Sequence, residues 1–254
     1  MSGKETIKNT FWKIVLGICI AVFAVAAVLL ALHLWPISRP PVGGVSSGPV
    51  SFSGEVLPDN PIDFVALQAQ YKEAKAWIRI PGTTVDYAVM QTPEGEDDSY
   101  YLDRAEDGTK RRSGSIYIES INSSDFTDPN TLVYGHNMRN SGMFGALHKF
   151  KKKDFFEQNQ YIYVYTPGHI LTYRIFSVHI FDDRHILYSF DFNSPEGYGE
   201  FLEHSLNPTS MTRQVRKDVA VTTDDRIITL STCTNRDSER LLVEGVLIHD
   251  QPTN

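Results

Sequence analysis

The stretch between residues 227 and 248 most constrains the fold of this chain. Residues 227–233 read Ile-Ile-Thr-Leu-Ser-Thr-Cys, a β-branched run of the kind that forms strands. Six polar residues follow, and Arg240 then opens a second apolar run that continues to Ile248. The pattern predicts two strands joined by a short loop, with Cys233 at the end of one strand and Arg240 at the start of the next.

The rest of the chain contains further strand patterns and few helix patterns. A capping residue followed by proline, Asn60-Pro61, predicts a helix that ends near Lys75, and Ser194-Pro195 predicts a second helix that ends before Pro208. About eight strands with few helices indicate a mostly β fold, a closed or partly closed barrel, rather than alternating βα units. Besides the last two, strands are predicted over 77–80, 85–91, 115–119, 131–134, 161–165, 170–181 and 219–222.

An uncharged apolar run near the N-terminus predicts a membrane span. The run from Ile14 to Leu32 would measure about 28 Å as a helix, close to the hydrocarbon thickness of about 30 Å. Lysines dominate residues 1–13, so the positive-inside rule places that segment in the cytoplasm. We therefore expect an uncleaved signal-anchor over 14–35, a Pro-, Gly- and Ser-rich linker over 36–60, and an extracellular domain over 61–254, with a cleaved signal peptide as the alternative.

Composition and charge exclude one class of function and leave one thiol to explain. A chain of 254 residues that is 41% hydrophobic and 22% charged has enough apolar residues for a globular core. Its net charge of −7 argues against a nucleic-acid partner, because binding to phosphates requires a basic surface. Cys19 lies in the apolar run and Cys233 near the other end of the chain, so no disulfide is expected. Cys233 is therefore a free thiol, either reactive or buried and inert.

No motif in the chain indicates a metal ion or a cofactor. There is no Gly-rich phosphate loop, and the histidines other than His136 lack the spacing of metal ligands. A structural or surface role is expected for those histidines, which are His33, His148, His169, His179, His185, His204 and His249.

Three side chains of complementary chemistry stand at predicted strand ends. His136 comes directly after the strand at 131–134, Cys233 ends a strand, and Arg240 begins one. A cysteine thiolate attacks carbonyl carbon atoms, and a histidine accepts a proton or protonates a leaving amine. An arginine stabilises an oxyanion with several fixed donors. The three side chains together predict covalent catalysis at a carbonyl group.

These residues resemble the signature of a known family, in a likeness that covers residues 61–249. Thr229-Leu230-Ser231-Thr232-Cys233 is similar to the TLxTC motif of sortases, the cysteine transpeptidases of Gram-positive cell surfaces. Arg240 follows at the family's spacing, and His136 falls at the expected strand end. Further stretches resemble class B members in particular, namely 77–87, 134–138 with Met143-Phe144 behind it, and the predicted helix at about 194–206.

The resemblance implies a sortase-like closed β-barrel and a transpeptidase mechanism. By this likeness, Cys233 attacks the carbonyl of the threonine in a C-terminal sorting signal, His136 protonates the leaving amine, and Arg240 holds the substrate and the oxyanion. An amine on a peptidoglycan precursor then resolves the thioacyl-enzyme and joins the surface protein to the cell wall. The implied partners are surface proteins with a sorting signal, the peptidoglycan amine and the membrane, without a cofactor. Class B members often act on NPQTN-like signals, and some act on other pentapeptides.

Several assignments stay open when they are argued from the residues alone. Arg236 lies in the same loop as Arg240, and we favour Arg240 because Leu-Leu-Val follows it at once, as in a strand. Ser231 and Thr232 are candidate substrate-binding residues, with simple packing as the alternative for Thr232. Asn137, the third candidate, either orients His136 or is a turn residue.

Two other functions compete with transpeptidation. One is a membrane-anchored extracellular cysteine peptidase or peptidoglycan hydrolase, although papain-like enzymes place the cysteine before the histidine and at a helix N-terminus. The other is a non-enzymatic surface-binding module in which Cys233 is buried and inert. Labelling with iodoacetamide separates this last function from the others, because a buried thiol reacts only after unfolding.

Overall fold

The computed structural model describes residues 57–254, which form nine strands and six short helices. The strands are β1 Ala74–Arg79, β2 Asp86–Gln91, β3 Ile116–Ile118, β4 Asn130–Tyr134, β5 Tyr161–Thr166, β6 His169–Asp182, β7 Arg213–Val215, β8 Ile227–Cys233 and β9 Glu239–Pro252. The α-helices are α1 Phe64–Gln70, α2 Lys153–Gln158, α3 Ile186–Ser189 and α4 Pro195–Leu206, and 3-10 helices span Tyr100–Leu102 and Phe144–Lys151.

Eight of the strands close into a barrel, as predicted. Their order around the barrel is β1-β2-β3-β4-β8-β9-β6-β5, and β5 pairs with β1 to close the circle. The long strand β6 makes this possible, because its first half pairs with β5 while its second half pairs with the short strand β7. Closure leaves the eight strands without the unpaired edges that promote aggregation.

The barrel interior is filled by alternate residues of the strands and by one 3-10 helix. Side chains such as Val133, Leu230 and Val243 point inward, together with Phe144 and Phe150 of the helix Phe144–Lys151. A second apolar cluster covers the outer face, where Tyr198, Phe201 and Leu202 of α4 pack against Leu132 and Leu242. The sheet therefore carries packed apolar side chains on its inner face and, at β4, β6, β8 and β9, on its outer face as well.

The predicted helix starts are confirmed at α4 and displaced at α1. The Ser194 hydroxyl accepts a hydrogen bond from Gly197 N at 3.1 Å, and Pro195 is the first helical residue. In α1 the cap is instead Asp63, whose carboxylate accepts from Ala66 N at 2.9 Å. Asn60 accepts from Ile62 N and stabilises the turn that precedes the helix. The helix also ends at Gln70 rather than near Lys75, because β1 begins at Ala74.

The strand predicted over 219–222 is wrong. Val219 and Val221 are partly buried against the cluster around α4, but this segment has no strand partner. Its apolar alternation reflects packing without a hydrogen-bonded ladder. Asp225 accepts hydrogen bonds from the backbone and hydroxyl of Thr222 and forms the turn that leads into β8. The strand that does form before this turn is β7.

The predicted signal-anchor and most of the predicted linker lie outside the described residues. Within residues 57–254, none of the helices has the length and apolar character needed to cross a membrane. Three residues of the predicted linker contact the end of the chain. Asn254 donates from its side chain to Leu57 O and from its main chain to Pro58 O, and the Asn60 side chain donates to Thr253 Oγ1 as well as to Thr166 O.

Candidate active site

Three strands end together and bring the predicted site residues to one end of the barrel. β8 runs parallel to β4, with Tyr134 opposite Ser231, and antiparallel to β9, with Cys233 opposite Arg240. The end of β8, the start of β9 and the segment that follows β4 therefore meet. This topology brings His136, which lies about 100 residues before Cys233, to the same part of the sheet.

Cys233 and Arg240 are neighbours across the two strands. Thr234 N donates to Glu239 O at 3.3 Å, so Cys233 and Arg240 form the next, non-hydrogen-bonded pair of the ladder. In such a pair the Cα atoms are about 4.5 Å apart and the side chains lie on the same face. The thiol of Cys233 is exposed, so it can meet a reactant. The side chain of Arg240 leaves the sheet on the same face, and its Nη1 donates to the carbonyls of Asp237 at 2.6 Å and Glu239 at 3.1 Å.

His136 is held by its main chain and by its ring. The residue before it, Gly135, continues the pairing of β4 by donating its N–H to Ser231 O at 3.2 Å. The His136 ring donates from Nε2 to the carbonyl of Leu102 at 2.6 Å. Since a carbonyl only accepts, Nε2 carries a hydrogen in this arrangement, and Nδ1 is the nitrogen left for proton transfer.

A cleft of about 480 Å³ contains both the histidine and the cysteine. Asn137 and Arg139 line it on the side of β4, and Thr234 and Asn235 line it beyond β8. A neighbouring cleft continues past His136 to Arg112. No carboxylate from the described residues lines either cleft, so the cationic and polar groups there are free to bind a carbonyl oxygen or an anion.

The three predicted substrate-binding residues lie in different surroundings. Asn137 lines the cleft and forms an isolated bridge with Met143. Ser231 lies two residues before Cys233 on the same face of β8, but it is buried. Thr232 points to the opposite face, with the core residue Leu230, and its hydroxyl has no hydrogen-bond partner among the described residues.

The two arginines of the β8–β9 loop differ in their surroundings. Arg236 is 77% exposed and forms an ion pair with Glu239 at 2.8 Å. Arg240 is half-buried and lies opposite Cys233. This placement agrees with the preference for Arg240 that the following Leu-Leu-Val indicated.

A polar cluster beside the thiol was not predicted. His185, just before α3, donates from Nε2 to Glu119 at 2.6 Å, and Tyr134 stacks on Tyr117 with 5.4 Å between ring centroids. Burial raises the pKa of Glu119, and the facing histidine offsets only part of this shift. Because Tyr134 is the register partner of Ser231, the cluster ties α3 to the strands next to Cys233. No sequence signal links Glu119 to His185, since 66 residues separate them.

A second histidine also reaches the site. His148, for which a structural or surface role was expected, lines the same cleft, and its Nε2 donates to the carbonyl of Cys233 at 3.1 Å. It lies on the 3-10 helix Phe144–Lys151, one turn beyond the loop that follows His136. Its spacing in the sequence carried no signal, because the contact spans 85 residues.

Comparison with known proteins identifies the family. A Sortase domain model matches residues 78–248. The sortase B of Listeria monocytogenes serovar 1/2a (strain ATCC BAA-679 / EGD-e) is 32% identical over 187 residues, which are 72% of this chain and 72% of that protein. The X-ray structure of Clostridium perfringens sortase B superimposes with a TM-score of 0.65 at 32% identity, over 73% of this chain and 100% of that chain. A Staphylococcus aureus sortase B–substrate complex gives a TM-score of 0.64 at 28% identity, over 73% and 84% of the two chains.

The match includes the whole site. The range 78–248 begins in β1 and ends in β9, so it contains His136, Cys233 and Arg240. The closed barrel of eight strands agrees with the sortase B structures. The chain therefore belongs to the sortase family as a class B sortase, a cysteine transpeptidase.

Proposed function

We propose that this sortase cleaves a C-terminal sorting signal after threonine and joins the released acyl group to an amine of a peptidoglycan precursor. One observation carries the assignment of roles. The exposed thiol of Cys233 lies directly opposite Arg240, in a cleft that it shares with His136. This arrangement supplies a nucleophile, an oxyanion donor and a proton carrier at one point.

In the first half-reaction the thiol proton moves to Nδ1 of His136, because Nε2 donates its hydrogen to Leu102 O. The sulfur attacks the threonine carbonyl, a C–S bond forms, and the negative charge moves to the carbonyl oxygen. Arg240 donates to this oxyanion. The C–N bond then breaks, and His136 returns the proton to the leaving amine. The product is a thioester between the threonine and Cys233.

In the second half-reaction a neutral amine enters the cleft and attacks the thioester. A new C–N bond forms and the C–S bond breaks, while the amine proton passes through His136 back to the sulfur. The clefts next to His136 support this route, because they leave space beside Cys233 that extends to Arg112. The solved complex of Staphylococcus aureus sortase B with its substrate supports a site that binds substrate in this family.

The proposal includes a location at the cell membrane. Residues 14–35 would span the bilayer with residues 1–13 in the cytoplasm, residues 36–60 would form the linker, and residues 61–254 would face outward. The support is the uncharged run from Ile14 to Leu32 and the excess of lysine before it. Surface proteins and peptidoglycan precursors would both reach a domain held in this position.

A peptide-library assay tests the proposal. The full chain, reconstituted in lipid vesicles, is incubated with peptides that carry sorting-signal pentapeptides, with and without an added amine such as triglycine, and the products are identified by mass spectrometry. We expect cleavage after threonine, a thioacyl adduct on Cys233 and an amine-dependent ligation product. Hydrolysis at unrelated sites would indicate the peptidase alternative, and a folded protein without cleavage or adduct would contradict the proposal.

A further inference from the structure

The carbonyl of Cys233 lies at a place where the sheet no longer provides a donor. Because Cys233 and Arg240 form a non-hydrogen-bonded pair, the main-chain N–H and C=O of Cys233 point away from β9 and toward β4. On that side β4 ends at Tyr134, and the last N–H in line, that of Gly135, bonds to Ser231 O. The chain then turns away from β8, so Cys233 O is the first carbonyl on this edge of β8 that lies past the end of β4.

His148 takes the place of the missing strand donor. Its Nε2 lies 3.1 Å from Cys233 O and donates to it. Burial lowers the pKa of His148 and the neighbouring Lys151 lowers it further, while the bond to Cys233 O offsets part of this shift. A neutral ring that makes this bond carries its one hydrogen on Nε2. The ring is held in place because Leu147 before it and Phe150 after it are fully buried in the barrel core.

The helix that carries His148 also bonds to the other half of the site. At its start, Phe144 N donates to the main-chain carbonyl of His136 at 3.0 Å. Gly145 allows the helix to lie against the loop after His136, because a Cβ there would collide with the carbonyl of Met138. Four residues of 3-10 helix rise about 8 Å, so one short rigid element joins the main chains of His136 and Cys233.

We propose that His148 is a positioning residue for the transpeptidase reaction: by donating to Cys233 O from the helix that also holds His136, it sets the distance between the thiol and the histidine ring. The inference rests on the proposed function, since it concerns the thioester-forming step. His148 exchanges no proton and contacts no reacting atom in this role. Its contribution is to keep the sulfur in line with Nδ1 of His136 and with the incoming carbonyl.

Two nearly isosteric substitutions separate the hydrogen bond from the shape of the side chain. Gln carries an amide N–H at nearly the reach of Nε2, whereas Met has a similar length and no donor. His148→Gln and His148→Met are compared with the wild-type full chain in vesicles, using the peptide that acylates the wild type fastest in the library. The rate constant of adduct formation on Cys233 is measured at saturating peptide in single turnovers, together with the half-saturating concentration and the midpoint of thermal unfolding.

We expect His148→Met to form the adduct about tenfold more slowly, because that is the effect of losing one well-placed hydrogen bond. His148→Gln should stay within about threefold of wild type because its amide keeps a donor. The half-saturating peptide concentration should change less than twofold in both variants. If His148 only stabilised the fold, His148→Met would have a lower unfolding midpoint, and His148→Gln would not restore the rate of adduct formation. A wild-type rate in His148→Met, or equal losses in both variants, would overturn the inference.

A second measurement does not depend on activity. Long-range ¹H–¹⁵N spectra of the imidazole groups distinguish the two neutral tautomers and the charged ring. We expect His148 at pH 7 to be neutral with hydrogen on Nε2. A neutral ring with its hydrogen on Nδ1 could not donate to Cys233 O and would overturn the inference even if the variants were slow. If no peptide acylates the wild type, the proposed function fails and this role fails with it. If the wild type is acylated and the His148 variants are acylated at the same rate, the positioning role is rejected and the proposed function stands.

Discussion

Cys233 and Arg240 face each other across β8 and β9 as a non-hydrogen-bonded pair, the type of pair in which side chains come closest. The next rung of the ladder, Thr234 with Glu239, closes the strands, and the loop that follows contains a second arginine. Arg236 points outward from this loop and is paired with Glu239. The pair of arginines thus offers a matched test of which one acts on the reacting carbonyl.

Arg240→Lys should lower kcat/KM for peptide cleavage by about 100-fold, and Arg236→Lys should change it less than threefold. A lysine ammonium cannot donate to Asp237 O and to an oxyanion with the fixed geometry of a guanidinium, and the loss of one oxyanion donor costs about 3 kcal/mol. Steady-state peptide kinetics of the two variants measure this. A larger loss in Arg236→Lys would reverse the assignment.

Cys233→Ala should abolish turnover and leave the fold intact. The thiol is exposed at the end of β8, so its removal creates no cavity in the core. We expect an unfolding midpoint within about 2 °C of wild type and no adduct or product in the peptide assay. Turnover near the wild-type rate would exclude the thioester mechanism.

Two glycines of α4 should respond in opposite directions to alanine. A Cβ at Gly197 would lie 2.5 Å from Asp191 O, a backbone atom that cannot give way, so Gly197→Ala should destabilise the protein by about 1–3 kcal/mol. A Cβ at Gly199 would have its nearest neighbour at 3.9 Å, so Gly199→Ala should stabilise the helix by about 0.5–1 kcal/mol. Urea unfolding of both variants tests the contrast. Equal effects would mean that α4 does not pack as described.

The buried Glu244 should make stability fall as the pH rises from about 5 to about 8. It accepts from Ser205 Oγ at 2.9 Å, and its other oxygen lies 3.6 Å from Nδ1 of His179. Burial raises the pKa of Glu244 from 4.5 to about 8 and lowers that of His179 from 6.5 to about 4, so both groups are neutral near pH 6.

Between about pH 5 and pH 8 the unfolded chain has lost the Glu244 proton that the folded chain keeps. The free energy of unfolding therefore falls by up to about 1.4 kcal/mol per pH unit from this group, and His179 offsets the fall only below its ordinary pKa of 6.5. In Glu244→Gln this contribution is absent, so the free energy of unfolding of the wild type should fall steadily relative to that of the variant from about pH 5 to about pH 8. Urea unfolding at four pH values measures it, and parallel stability curves would show that Glu244 is not protonated in the fold.

The elements that were predicted well depend on local patterns. Ser194-Pro195 starts α4 because a cap and a proline act within one turn, and 227–233 forms β8 because β-branched residues favour a strand wherever it pairs. The strand predicted at 219–222 failed for the complementary reason. Residues 219–222 do alternate, but an alternating segment becomes a strand only beside a neighbour with free hydrogen-bonding groups. The second half of β6 already pairs with β7.

Strand periodicity and short motifs are carried by neighbours in the chain, so the eight barrel strands could be predicted from the sequence. The same motifs predicted His136, Cys233 and Arg240 as the site residues, and the structure brings these three to one end of the barrel. The surroundings of these residues could not be predicted: the bond from His148 to the Cys233 carbonyl, the Glu119–His185 pair and the inward orientation of Thr232 appear only in the folded chain. The two bonds join residues 85 and 66 positions apart, and a strand's register decides which face each side chain meets. Such partners follow from the closure of the barrel, which no local pattern in the sequence encodes.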